Sequence, residues 1–154
     1  MKTLILYHTR FGATELCARR LADYIGSEAS IQRLSEANQV SIDSAEAIIL
    51  GASVDKGHLI RPMAEFLAKN PDLGVNRPLG LFLCHGEPDG LSLLKRCYPP
   101  VILARARVAE AVGGYLDLRK VPRMLRFLLA IIGVKKSYDR LDNAALKRLA
   151  EAFK

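Results

Sequence analysis

The chain has 154 residues, half of them hydrophobic and a quarter charged, the size and balance of one ordinary domain with a real core. No run of 18 or more apolar residues occurs, which excludes a spanning helix, and Met1-Lys2-Thr3 enters an apolar strand without a signal-peptide pattern, so the expectation is a cytoplasmic protein. The net charge is +7 but uneven: between Lys95 and Lys136 ten Lys/Arg stand against two Asp/Glu, a surplus that points to a local anionic partner.

In chain order, Thr3 to Tyr7 is a short apolar run beside a glycine-containing loop and reads as a buried strand. Leu16, Ala18, Leu21, Ala22 and Ile25 then fall at helical spacing, predicting a helix from near Ala13 to about Ile25, stopped by Gly26. Ile31 to Leu34 is a second strand, and Ala47 to Leu50, ending at Gly51, a third. Pro62 opens a helix through Met63, Phe66 and Leu67, a position where proline loses no helical bond. Leu79 to Cys84 is a fourth strand. Leu91 to Ala106 reads as helix broken at Pro99-Pro100, and Val108 to Tyr115 as a fifth strand. Pro122 to Ile132 is an apolar helix with basic flanks. A last helix, Leu141 to Phe153, carries Leu141, Ala145, Leu149 and Phe153 on one face.

Strands alternating with helices, each strand almost continuously apolar, predict a parallel sheet covered on both faces. Ligands of such sheets bind beyond the carboxyl ends of the strands, where strand order switches. The loops after the first, third and fourth strands are therefore the candidate site. Cys17, Cys84 and Cys97 show no C-x-x-C spacing, and His8, His58 and His85 no metal-ligand spacing, so no metal site is expected. The cysteines read as small buried hydrophobes.

The first loop, His8-Thr9-Arg10-Phe11-Gly12-Ala13-Thr14, joins a strand to a helix start, where free N–H groups and the dipole favour a phosphate. Gly12 allows close backbone approach, Thr9 and Thr14 offer hydroxyls, and Arg10 offers a charged donor. The loop matches neither G-x-x-x-x-G-K-[ST] nor G-x-G-x-x-G, which argues against the usual triphosphate and dinucleotide modes. A strand–helix turn with an ordinary cap is the plain alternative.

The loop resembles that of the flavodoxin family, roughly S/T-x-T-G-x-T around an FMN phosphate. It is more similar still to the menaquinone-dependent protoporphyrinogen IX dehydrogenase branch, which opens Tyr-Ser-Thr-Arg; here Tyr7-His8-Thr9-Arg10 stands, with His8 in place of the serine hydroxyl. The second loop, Gly51-Ala52-Ser53-Val54-Asp55-Lys56-Gly57-His58, resembles the same branch in its Gly-Ala-Ser start and Gly-His pair. The resemblance implies a flavodoxin-like three-layer sandwich, a five-stranded parallel sheet in order 2-1-3-4-5 with helices on both faces. It implies FMN as cofactor. Thr9, Arg10, Phe11, Gly12, Ala13 and Thr14 would surround its phosphate, and Ala52, Ser53, Val54 and Gly57 would lie against its ring. His58 would sit near the ring edge and substrate. In the third loop, Cys84 to Gly90, His85 and Gly86 are candidates by position alone. The chain has no Trp, and neither ring-flanking loop shows an evident stacking aromatic.

Residues 119–136 form a basic apolar insertion before the last helix. It is too short to span a bilayer. It reads as a core helix with solvated ends, in one variant a homodimer interface, or as a helix lying in a membrane interface or against a hydrophobic substrate, with Phe127, Leu128 and Ile131 turned inward to the lipid. No helix-turn-helix or aromatic–basic interleaving supports nucleic acid. The related branch has a comparable insertion associated with substrate and membrane. The resemblance thus implies an FMN oxidoreductase that oxidises a porphyrin-type substrate and reduces a quinone, peripheral on the inner face of the membrane. Arg119, Lys120 and Arg123 would meet anionic groups. The alternative is a flavodoxin-like electron carrier, or a binding module of this fold that has lost FMN.

Overall fold

The computed structural model describes residues 1–154. In chain order its elements are β1 (Thr3–Tyr7), α1 (Ala13–Ile25), β2 (Ala29–Arg33), α2 (Gln39–Ser44), β3 (Ala47–Asp55), β4 (His58–Leu59), α3 (Arg61–Lys69), β5 (Leu79–Cys84), α4 (Gly90–Cys97), α5 (Pro100–Arg105), β6 (Ala106–Ala111), β7 (Gly113–Leu116), α6 (Arg123–Ile131), β8 (Tyr138–Leu141) and α7 (Asn143–Glu151). The parallel sheet has the order β2-β1-β3-β5-β6. This is the order expected, with β3, β5 and β6 as the third, fourth and fifth strands.

The side-chain period of two divides the core between the two faces of the sheet. Leu4, Leu6, Ile48 and Leu50 face α2 to α5, packing with Ile42, Met63, Leu67, Leu94 and Ile102. Their neighbours Ile5, Tyr7 and Ile49 face α1 and α7, packing with Cys17, Leu21, Leu146, Leu149 and Phe153. The central strands β1, β3 and β5 are therefore buried on both sides, which is why they lack polar alternation. Aromatic rings on the second face fit over glycine gaps. A Cβ on Gly51 would lie 2.0 Å from the Phe82 ring, directly across the β3–β5 pair. From the other face Tyr98, fully buried, donates its hydroxyl to the Phe82 carbonyl at 3.0 Å.

Three sequence expectations change. β3 does not stop at Gly51 but runs to Asp55, then turns through Lys56 and Gly57, both at positive φ, to pair antiparallel with β4. A two-residue loop with positive φ at both positions suits the twist of a tight hairpin. The segment read as one fifth strand divides at Val112. β6 stays in the sheet, whereas β7 leaves it and pairs antiparallel with β8, a strand the sequence reading does not contain and whose Leu141 it assigns to the last helix. Tyr138-Asp139-Arg140-Leu141 has no buried residue, so its composition carried no strand signal.

The third change concerns the insertion. α6 is not a core helix: none of its residues is buried, and Met124, Phe127 and Ile131 are 80%, 68% and 67% exposed. No helix of the chain is long and apolar enough to cross a membrane.

The Gly51–Phe82 contact yields a test. Gly51→Ala forces a methyl into the ring and should cost about 1–3 kcal/mol, as overpacking does. Urea unfolding checks this, and Phe82→Leu in the same background should recover part of the loss.

Candidate functional site

The carboxyl ends of β1, β3 and β5 and the β7–β8 ribbon surround one open cleft of about 200 Å³. Its floor and first wall are Thr9, Arg10, Phe11, Ala13 and Thr14. Its second wall is the end of β3, Ser53-Val54-Asp55, with Ile60. Cys84 and His85 follow from β5, and Gly114, Tyr115, Leu116 and Tyr138 close the far side. The volume is below the roughly 300–1,000 Å³ of enclosing ligand sites, so a large planar ligand keeps part of its surface open to solvent.

The start of α1 is built to receive an anion. Gly12, at φ +95°, turns the chain into the helix, and its N–H donates to the Thr9 hydroxyl at 2.8 Å. That places the Thr9 side chain inside the loop rather than over the helix end. No side chain caps α1, so the N–H groups of Ala13, Thr14 and Glu15 have no acceptor from the protein. The Thr14 hydroxyl is fully buried and is the one buried side-chain polar atom without a partner. A buried unpaired hydroxyl costs about 1–3 kcal/mol, a cost that a ligand accepting from it would offset. Three amides and a hydroxyl around one point fit a phosphate.

The charges nearby are already ordered. Glu15 lies in the first turn, where its carboxylate would repel a phosphate, but Arg19 and Arg33 each hold it at 2.8 Å. The Arg19 hydrogen bond, with Arg33 beside it, keeps the Glu15 carboxyl below the usual glutamate range. Arg10 stacks over Phe11, 5.1 Å from the ring centre, and reaches Asp55 at 3.9 Å across the cleft. Its guanidinium thus has a carboxylate of the second wall just within ion-pair range.

Of the other expected residues, Ala52 is fully buried beneath the wall, while Gly57 and His58 lie in the exposed hairpin turn outside the lining. His58 sits opposite Asp55 in the β3–β4 pair. The His85 ring is committed elsewhere: Nδ1 faces the Glu87 carbonyl at 2.9 Å, and Nε2 faces the Gly113 N–H at 3.3 Å. With the Gly113 N–H donating to Nε2, the Nδ1 side is the one that meets the Glu87 carbonyl. Gly86 lies in a neighbouring depression with Tyr138 and Arg140, not in the cleft. His8 is also outside the lining; burial, with Arg33 nearby, lowers its pKa. Sequence reasoning missed Asp55, Tyr115, Leu116 and Tyr138. The two tyrosines are far apart in the chain and meet only because β7 pairs with β8.

A family model of the flavodoxin domain matches residues 4–142. The chain belongs to the flavodoxin-domain family. FMN is the cofactor of this family, and the open amides and orphaned Thr14 hydroxyl fit its phosphate. Among solved structures, the flavodoxin of Streptococcus pneumoniae TIGR4 is 15% identical with a TM-score of 0.63, the match covering 98% of this chain and 96% of that one. Two-electron-reduced Megasphaera elsdenii flavodoxin is 17% identical with a TM-score of 0.59, covering 98% and 97%. Rubredoxin oxygen:oxidoreductase from Desulfovibrio gigas is 19% identical with a TM-score of 0.64; the match covers 98% of this flavodoxin domain but 34% of that longer chain. At these identities the likeness shows the fold. No curated protein matches the chain in sequence.

Two predictions follow from the helix start. Thr14→Val removes an unpaired buried hydroxyl, so the FMN-free protein should gain about 1 kcal/mol of stability in urea while FMN affinity falls about tenfold. Loss of stability together with unchanged affinity would contradict the assignment. Because the pKa of Glu15 is depressed on folding, its contribution is present above the ordinary glutamate range and fades as pH falls through the lowered value. Glu15→Gln should therefore lower the urea midpoint at pH 7, and the difference from wild type should shrink as the pH falls below the ordinary glutamate range.

Proposed function

We propose that this flavodoxin domain is an FMN-dependent oxidoreductase of the protoporphyrinogen-dehydrogenase type, working against a membrane surface and passing electrons to a quinone. The observation that carries this reading is α6, an exposed apolar helix in the insertion between β7 and β8, the two strands that supply the cleft's far wall. Met124, Phe127, Leu128 and Ile131 recur at i, i+3, i+4 and i+7, forming one stripe. Arg123 and Arg126 are exposed on the same helix, and Lys135 and Lys136 follow it. At about 1.5 Å per residue the helix is near 14 Å long, so it would lie in an interface rather than cross it. Each basic residue near an anionic surface adds about 1 kcal/mol of attraction.

FMN, when bound, supplies the electron-transfer chemistry. The chain's residues would bind, orient and shield it. The Ala13, Thr14 and Glu15 amides and the Thr14 hydroxyl would hold the phosphate. Ser53, Val54 and Asp55 on one side, and Tyr115, Leu116 and Tyr138 on the other, would frame the ring and exclude water. No side chain is needed as nucleophile. Carboxylates of a porphyrin-type substrate would meet Arg123 and Arg126 in place of Arg119, whose guanidinium is held by Asp117 at 3.0 Å. Carrier flavodoxins are commonly acidic and dock on basic partners, and the surplus of positive charge here counts against that role.

The test is anaerobic oxidation of protoporphyrinogen IX by FMN-loaded protein with a menaquinone analogue, followed by porphyrin fluorescence. Turnover is expected; yellow protein without turnover would overturn the enzyme assignment and favour a carrier. For the membrane contact, Phe127→Asp with Ile131→Asp should lower co-sedimentation with anionic vesicles at least tenfold and leave the bound-flavin spectrum unchanged. Equal sedimentation of variant and wild type would remove α6 as the docking element.

A further inference from the structure

Lys120 precedes α6 by three residues, yet it reaches back to the helix start of α1. Its Nζ lies 3.7 Å, and its Cδ 3.9 Å, from the position that a Cβ on Gly12 would occupy. Gly12 is the residue before the three open amides. The turn that carries the lysine is well anchored. The Asp117 side chain, almost fully buried, accepts the Arg119 N–H at 3.0 Å and both arms of the Arg119 guanidinium at 3.0 and 3.1 Å. The Lys120 N–H donates to the Asp117 carbonyl, and the buried Val121 fixes the chain on the other side. With Asp117 occupied by Arg119, the Lys120 ammonium has no carboxylate partner within salt-bridge distance. A cation brought over a cluster of unfilled donors, with no counter-charge of its own, is complementary to an anion and to little else.

We propose that Lys120 is a ligand of the FMN phosphate, so that the insertion reaches the cofactor's phosphate end while the β7–β8 ribbon that carries it frames the ring. This rests on the FMN reading of the cleft. The lysine brings to the helix start a charge that, unlike that of Arg10, has no carboxylate within ion-pair range. It also compensates in kind for the hydroxyl lost where His8 stands. The role differs from that of a surface cation waiting for substrate or lipid: it discriminates the phosphorylated flavin from the unphosphorylated one. Because Lys120 and α6 belong to one short connection, bound phosphate tethers the base of α6 to the sheet.

The experiment compares FMN with riboflavin, which share the ring and differ in the phosphate. Binding to apoprotein is read by quenching of flavin fluorescence. Lys120→Met should weaken FMN on the order of tenfold to hundredfold, the range for losing a hydrogen bond to a charged group. It should leave riboflavin affinity unchanged and flatten the salt dependence of FMN binding. Lys120→Arg should retain most of the FMN affinity. Lys69→Gln removes one exposed positive charge from α3, outside the site, and should change FMN affinity less than threefold. Near-ultraviolet circular dichroism of each variant establishes that the fold is kept. Equal weakening of FMN and riboflavin by Lys120→Met, or of neither, would overturn the proposal while leaving the cofactor in place. Absence of quenching by FMN in the wild-type protein would overturn the cofactor reading itself.

Discussion

The structure depends on a helix that starts without a cap. In most helices a serine, threonine or aspartate closes the first turn from the preceding residue. Here the position is Gly12, and the loop threonine that could have capped, Thr9, instead accepts the Gly12 N–H. Thr14, the second residue of the helix, has a fully buried hydroxyl with no partner in the protein. These are local costs, and they sit at the junction between β1, the central region of the sheet, and the only helix that packs extensively on α7. The rest of the fold holds this junction rigid. Ile5 and Tyr7 anchor β1 on one face, and Leu4 and Leu6 anchor it on the other. A stable core around an unsatisfied edge is how a protein keeps a preorganised anion site.

The second constraint is the departure of β7 from the sheet. β6 ends the parallel order, Val112 is buried at the corner, and β7 turns out to pair with β8. That ribbon gives the cleft its tyrosines and brings the insertion with it. Lys120 of that insertion is thereby brought beside the start of α1. Arg10 bridges to Asp55, Arg119 to Asp117, and Lys120 remains over the phosphate loop. The distribution of partners among these cations assigns them different roles that their sequence positions do not distinguish.

The alternation of apolar runs with helical periods was enough to read the parallel sheet and its two covered faces, because burial on both sides writes itself into each strand locally. The phosphate loop was legible for the same reason: strand, Gly-containing turn and helix start are contiguous. What was hidden depends on pairing between distant segments. β8 is polar and exposed, so nothing in Tyr138-Asp139-Arg140-Leu141 announced a strand until Gly113 to Leu116 was seen beside it. The continuation of β3 past Gly51 was masked by small residues that read as loop. α6 misled in the opposite sense: its apolar stripe suggests burial by composition, yet the helix is carried beyond the layers that could bury it. The same nonlocal placement brings Lys120 to Gly12 across 108 positions of sequence.

The central claim is that an FMN phosphate completes the open start of α1. It is tested most directly by the backbone amide signals of Ala13, Thr14 and Glu15 in nitrogen-correlated NMR as FMN is added to the apoprotein. The account predicts large shifts at these three amides and slowed hydrogen exchange there, with shifts at Ser53 to Asp55 from the ring. Riboflavin should move the second group and not the first. Saturating FMN that leaves the three amides unmoved would contradict it.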